Sequence, residues 1–471
     1  MGFVIVNCRA ERQERRNRLP FEDSVPNHSK VGFQEHSTRF RDGLLHGIRL
    51  IPMNTVTAIA SREVGRQTEL FSGAFFWVLA FFVVYCGRPE DWIPGLGHLH
   101  IAMITGISAL IAFLLTLGRW REGLPIEVFY LVLLLIQFAM ASMLSPVWKG
   151  GAIFQTIEFA KMVLIVLVMM LVVTSVARLR KLIFVQAACA AVVAFLSIRY
   201  SHVVAGRLEG ALRGMYGSCN DLAIASVLSL PLCLVFLLRS NGMCRRVIWT
   251  GAILAMLYAT LRTGSRAGFL ALLVATAVSL WELGIRGRRP YLILIGMIGS
   301  VVLFLAAGQQ VNRRLSDTFS STGDYEYAEA SASARRELLK LSLEVTAEHP
   351  LFGVGLGDFQ IISGRWQPTH NVYTALSSEA GVPALVLFLM IYCRAFANLR
   401  HIRKAVPVNS ELWMFAGALR ASLWAFAFAG MFFPDAYQYF VYFTFAFTTC
   451  VYRIGSGSAP SGFRRQSLGA K

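Results

Sequence analysis

The 471-residue chain is short of charge. Only 15% of its residues are charged and 55% are hydrophobic, whereas a soluble domain carries roughly 25% charged residues. Acids are scarcest: 27 Asp and Glu stand against 45 Lys and Arg, for a formal net charge of +18. Mean hydropathy is +0.55, which excludes an ordinary soluble domain. Other features are missing too. None of the eight cysteines (Cys8, Cys86, Cys189, Cys219, Cys233, Cys244, Cys393 and Cys450) forms a CxxC pair, so neither a metal nor a disulfide framework is indicated. They read as small apolar residues. The apolar segments do not alternate with polar residues, which disfavours an outer-membrane barrel. No folded soluble region carries a basic patch with interleaved aromatics, so nucleic acid is not an expected partner. A charged n-region followed by a short apolar stretch and a cleavage site is also missing, so no cleavable signal peptide is expected.

What the chain does have is apolar runs of about eighteen or more residues, each long enough to cross a bilayer. They fall near 71–87, 99–117, 126–145, 157–176, 182–198, 219–238, 247–263, 266–284, 291–308, 371–393, 411–432 and 436–452. The fold class is therefore all-α: a polytopic membrane protein of about 12 transmembrane helices, with the lipid bilayer as its surroundings. Glu158 and Lys161 fall in the first turn of the run at 157–176, placed there to snorkel or to face the protein interior. Residues 1–70 read as a disordered cytoplasmic tail, or as sequence preceding a start at Met53. Residues 71–453 form the membrane domain, and 454–471 a second cytoplasmic tail.

Charge in the loops orients the bundle. Arg119 and Arg121 share one connection. Arg178, Arg180 and Lys181 occupy the next but one, then Arg239, Arg245 and Arg246, then Arg286, Arg288 and Arg289. Arg394, Arg400, Arg403 and Lys404 follow, and Arg453, Arg464 and Arg465 come after the last run. Every second loop is basic, so both termini are expected in the cytoplasm and the other loops outside.

Two outside loops carry arginines against this bias. One, about 199–218, holds Arg199, Arg207 and Arg213; the other is the tight turn from Arg262 to Arg266. A large outside loop spans 309–370. It is expected to be irregular up to Tyr327 and then to form an amphipathic helix from about Ser333, with Leu338, Leu341 and Val345 on one face. His349-Pro350 ends that helix. The glycines of Leu351-Phe352-Gly353-Val354-Gly355-Leu356-Gly357-Asp358 permit close approach of a ligand or a neighbouring helix. A nucleotide loop is not indicated, because no Lys-Ser/Thr follows. His370 and Asn371 mark the next membrane boundary. A helix starting there would align His370, Thr374, Ser377 and Ser378 on one polar face.

Four segments resemble the O-antigen ligase family of bacterial inner-membrane proteins. They are Arg213 to Ala223 (Arg-Gly-Met-Tyr-Gly-Ser-Cys-Asn-Asp-Leu-Ala), Thr263 to Leu270 (Thr-Gly-Ser-Arg-Ala-Gly-Phe-Leu), Arg335 followed by the helix and His349 to Gly355, and His370-Asn371 with nine spacers before Gly381. The resemblance covers roughly residues 71–452. Where the family usually has Gly, Thr or Tyr, this chain has Ala384, and Cys219 stands where proline is common before the asparagine.

The resemblance implies glycan transfer on the periplasmic face of the inner membrane, in lipopolysaccharide or surface polysaccharide biosynthesis. The implied donor is a saccharide on undecaprenyl pyrophosphate, and the implied acceptor is lipid A core, a growing polysaccharide or a protein hydroxyl. Neither a nucleotide sugar nor a metal cofactor is expected. His370 suits a general base, since an unperturbed pKa of about 6.5 lies near working pH. Arg266, with Arg213 or Arg207 and with Arg335, suits the pyrophosphate, because guanidinium forks meet phosphate oxygens bidentately and stay charged. Asn371 reads as a helix-end hydrogen-bonding residue, and Glu379 as a structural ion-pair partner of an arginine. A polysaccharide polymerase or a protein O-oligosaccharyltransferase would share this machinery. A lipid or sugar transporter would instead show inverted repeats, and none is evident.

Overall fold

The computed structural model describes residues 71–457, apart from residues 94, 118–122, 202, 205–206, 213, 307–323, 365 and 435. The expectations for the two tails, for Arg213 and for the irregular stretch up to 323 lie outside the described residues. Within them the architecture is the expected all-α one.

A helix stands at every expected position. In chain order these are α1 (Ser72–Gly87), α2 (Ile101–Leu117), α3 (Ile126–Met143), α4 (Lys149–Val172), α5 (Val176–Tyr200), α6 (Cys219–Arg239), α7 (Met243–Arg262), α8 (Arg266–Ser279, continuing as a π-helix to Ile285) and α9 (Tyr291–Ala306). The loop helix α10 (Asp324–Glu348) follows, and then α11 (Val372–Ala405), α12 (Glu411–Ala429) and α13 (Tyr439–Gly457). Eight of the described helices are long and apolar enough to cross a membrane, against the twelve spans expected. Length explains two shortfalls: α1 and α9 are apolar but have 16 described helical residues each. Composition bears on another: α13 carries Thr444, Thr448, Thr449 and Tyr442, all buried against neighbouring helices.

Several boundaries differ from those expected. Helix α4 begins at Lys149, so Glu158 and Lys161 lie near its middle and pair with each other at 2.6 Å. Helix α10 begins at Asp324, well before Ser333. Alanines at 328, 330, 332 and 334 favour helix strongly enough to extend it upstream. Its apolar face is the expected one. Leu338 and Val345 are buried with Val354 and Phe359, and Leu341 packs beside them.

Aromatic side chains fill the bundle interior. Phe440, Tyr442, Phe443 and Phe445 of α13 are fully buried, and α13 packs on α11, α12 and α4. Between helices in lipid, such close packing replaces the hydrophobic drive available in water. At one end of the bundle, acids neutralise the basic loops. Glu411 pairs with Arg180 and Arg239. Buried Glu282 meets Arg403 at 2.7 Å and Arg420 at 2.9 Å, and buried Glu127 meets Arg394 at 3.1 Å.

Helix α11 is the irregular member. It has 34 residues, ~51 Å at 1.5 Å per residue, more than a hydrocarbon core of roughly 30 Å requires. It breaks at Gly381, whose φ of 82° and ψ of 166° are not helical. Pro383 falls in the first turn after the break, where its missing N–H has no intrahelical acceptor to lose. A Cβ at residue 381 would lie 2.3 Å from the Leu351 carbonyl oxygen. Gly381→Ala is therefore expected to lower the thermal unfolding midpoint in detergent, with backbone strain alone costing about 1–3 kcal/mol. Gly251→Ala, at an α7 position with open space around it, should leave stability within about 1 kcal/mol.

Candidate active site

The break in α11 exposes backbone groups that the surrounding chain satisfies one by one. The Ser378 carbonyl accepts from Val354 N–H at 3.0 Å, and the Glu379 carbonyl from Gly355 N–H at 2.9 Å. The Gln137 side chain of α3 donates to the Ala380 carbonyl at 2.9 Å and to the Leu351 carbonyl at 2.6 Å. Beyond the break, Val382 N–H donates to the Pro350 carbonyl at 2.8 Å. The segment from Pro350 to Gly357 thus lies against the broken helix. Gly353, Gly355 and Gly357 all have positive φ. At Gly353 a Cβ would meet the Glu379 carbonyl carbon at 2.4 Å. Of the two partners these glycines allow, the one present is a helix backbone.

Glu379 secures the same segment. Its carboxylate accepts from Gly357 N–H at 3.0 Å and from the Tyr437 hydroxyl at 2.7 Å. The expected arginine partner is replaced by these two donors. Asp358, also buried, accepts from the Ser145 hydroxyl at 2.6 Å and from Trp148 N–H at 3.2 Å. Helix α10 therefore arrives at α11 through a segment held by α3, by the α3–α4 turn and by Tyr437. One further bond, between the Thr346 and Ser377 hydroxyls at 2.9 Å, joins α10 to α11 directly. Ser377 and Ser378 are buried, so much of the polar face expected to line water is covered by α10.

His370 does not lie on that face. Asn371 is the N-cap of α11 and accepts from Tyr373 N–H at 2.8 Å and Thr374 N–H at 3.2 Å. An N-cap leaves the helical conformation, so the helix begins at Val372. His370 precedes it in the left-handed region, with φ of 55°. Asn371 also donates to the Met431 carbonyl at 3.4 Å, and Val372 N–H donates to the Gly430 carbonyl at 2.7 Å. The start of α11 is thereby tied to the end of α12. Asn371 has the helix-end geometry anticipated for it.

The other two sequence segments fold as interlocking caps. Ser265 caps α8, accepting from Gly268 N–H at 3.1 Å. Gly268 lets α8 approach α6 closely, since a Cβ there would lie 2.5 Å from Ala223 Cβ. Ser218 and Asp221 form a reciprocal capping box on α6. Arg207, on a two-residue strand paired with Val203–Val204, reaches across both. Its Nε donates to the Thr263 carbonyl at 3.0 Å, and Nη2 donates to Asn220 Oδ1 at 3.4 Å.

These elements bring the basic residues together. Arg335 on α10 interacts electrostatically with both Arg266 and Arg207. It keeps an accessible surface, yet desolvation and those two guanidiniums hold it below its ordinary pKa. Burial, reinforced by the charge of Arg335, also lowers the pKa of His370, favouring the neutral imidazole that a base requires. Among the described residues no carboxylate pairs with Arg207, Arg266 or Arg335. With no described acid paired to them, these like charges give a locally positive surface. Three of the expected residues, Arg207, Arg266 and His370, therefore lie within electrostatic range of a fourth, Arg335. Glu379 and Asn371 support the framework around them.

Asn220, Gln137 and Tyr437 take roles here that their sequence context alone does not indicate. Gln137 carried a readable signal, a lone amide within an apolar run. Asn220 lay inside a recognised segment, and nothing local marked Tyr437.

The fold and site define a membrane-embedded all-α protein with an arginine-rich site. Residues 251–389, which include Arg266, Arg335, His370 and Glu379, match the family described as O-Antigen ligase (Wzy_C). That match supports a polysaccharide-biosynthesis function of the ligase or polymerase type. No curated protein matches the chain. Among solved structures, a chain from "Structural coordination of polymerization and crosslinking by a peptidoglycan synthase complex" is similar at 14% identity and a TM-score of 0.40, covering 70% of this chain and 96% of that one.

Replacing Glu379 with Ala would leave the Gly357 N–H and the Tyr437 hydroxyl unpaired, at about 1–3 kcal/mol per buried group. Amide exchange at 354–357 should then accelerate relative to wild type, as read by hydrogen–deuterium exchange mass spectrometry.

Proposed function

We propose that the protein transfers a glycan from undecaprenyl pyrophosphate to an acceptor hydroxyl, on the periplasmic face of the bacterial inner membrane with both termini cytoplasmic. The observation that carries this reading is the grouping of Arg207, Arg266 and Arg335 beside His370, without a neutralising carboxylate among the described residues. The alternation of basic loops supports the orientation.

In the proposed reaction, the acceptor oxygen attacks the anomeric carbon of the donor sugar. The bond from that carbon to the pyrophosphate oxygen breaks, and undecaprenyl pyrophosphate leaves with the electron pair. His370 takes the acceptor's proton as the new glycosidic bond forms. The guanidiniums stabilise negative charge developing on the leaving oxygen, a preorganised electrostatic effect. Arg207 is fixed in advance by Asn220 and the Thr263 carbonyl, and Arg335 is fixed by the docking of α10. Arg213, outside the described residues, belongs to the same loop and remains a proposed donor contact.

Purified protein with a lipid-pyrophosphate-linked glycan should transfer it, and His370→Ala and Arg266→Ala should each lose at least ~100-fold, the usual scale for general-base or oxyanion contacts. Full transfer by both variants would overturn the mechanism. Lipid A core, polysaccharide and protein acceptors, assayed in parallel, separate ligase, polymerase and O-oligosaccharyltransferase activity.

The pH profile gives an independent check. Neutral His370 is the active form, so activity falls as pH drops through its lowered pKa. Arg335→Gln removes one of the two causes of that lowering. The acidic limb should therefore move to higher pH in this variant. A limb that stays in place would separate Arg335 from the base.

A further inference from the structure

A second concave site lies beside the loop that carries Arg207. It is a cavity of about 470 Å³ lined by Arg88, Glu90, Asp91, Gly97, His100 and Ala211. The α1–α2 connection supplies five of these residues and the α5–α6 loop supplies Ala211. The wall is held in place by named contacts. Arg88 donates to Asp91 through Nε at 2.5 Å and through Nη2 at 3.2 Å. Its guanidinium lies against Gly214, where a Cβ would be 2.6 Å from Nη1. The Tyr216 hydroxyl donates to the Cys86 carbonyl at 2.8 Å, and Ala211 N–H donates to the Ser197 hydroxyl at 3.1 Å.

The chemistry of the lining narrows what can occupy it. One guanidinium faces two carboxylates, so a second phosphate or other anion meets net repulsion. Arg88 engages both oxygens of Asp91, which leaves that carboxylate poorly disposed to a metal ion. An apolar ligand would desolvate four polar side chains without replacing their hydrogen bonds. A hydroxyl-rich, uncharged ligand suits all of them: its O–H groups donate to carboxylates, and its oxygens accept from Arg88.

Placement points the same way. Ala211 follows Arg207 by four positions, so their Cα atoms are at most about 14 Å apart. That separation is within the span of a short oligosaccharide. We infer that this cavity is a glycan subsite, holding sugar units of a substrate whose reacting end lies at Arg207, Arg266 and Arg335. The inference rests on the proposed glycan transfer and adds a separate site to it.

The test uses the full-length protein in detergent, with wild type, Glu90→Ala, His100→Ala and His370→Ala. The probes are the oligosaccharide released by mild acid from the host's lipid-linked glycan, the oligosaccharide of the working acceptor, and undecaprenyl pyrophosphate without sugar. Binding is measured by calorimetry and transfer by initial rates. Glu90→Ala and His100→Ala should weaken binding of one oligosaccharide at least ~10-fold, about 1.4 kcal/mol, with the kinetic loss falling on KM more than on kcat. The sugar-free lipid should bind both variants as it binds wild type. The oligosaccharide that loses affinity identifies the subsite as donor or acceptor. His370→Ala should bind oligosaccharide normally while failing to transfer it. Wild-type affinity for both oligosaccharides in both cavity variants would overturn the subsite, as would an equal loss for the sugar-free lipid. Undiminished transfer by His370→Ala would instead overturn the transfer mechanism, whatever the cavity binds.

Discussion

The interrupted helix α11 is the constraint on which the rest of the site depends. A break inside an apolar bundle strands amides and carbonyls where no water replaces their partners. Here the Pro350–Gly357 segment and Gln137 supply those partners. The same hydrogen bonds that close the break also locate α10, because α10 leads directly into the segment. A requirement of backbone chemistry thus fixes Arg335 relative to the start of α11, where His370 stands.

The distribution of charge gives the bundle two unlike ends. At one, Glu127, Glu282 and Glu411 each hold at least one arginine, so basic loops there are locally compensated. At the other, Arg207, Arg266 and Arg335 repel one another without a described acid between them. Mutual repulsion is a cost the fold sustains, through the cap of Ser265, the strand pair at Arg207 and the docking of α10. An anion would relieve that repulsion, and this is the physical reason for proposing the cluster as a phosphate site. Its effect on His370 follows, since a positive neighbour and partial burial both favour the uncharged ring.

Much of this was legible along the chain. The apolar runs place every helix of the bundle, and the parity of those runs brings the arginine-bearing loops to one end. His349-Pro350 marked the end of α10, and Asn371 its capping role. Other features were not legible. The run at 371–393 reads as one uninterrupted span, so the break at Gly381 comes from the structure alone. The expected polar face from His370 to Ser378 is interrupted by the N-cap and largely covered by α10. The expected partner of Glu379, an arginine, is Gly357 N–H with the Tyr437 hydroxyl.

By itself the sequence determined an all-α membrane protein, the order of its helices and the residue types available for anion binding and proton transfer. Hydropathy, glycine, proline and capping residues act over a few neighbours, so their consequences can be read locally. Tertiary structure alone decided that Arg335 reaches Arg207 and Arg266, that Glu379 clasps a glycine loop, and that Asn220 steadies Arg207. Each depends on groups far apart in the chain meeting within hydrogen-bond or electrostatic range, and only packing sets those distances.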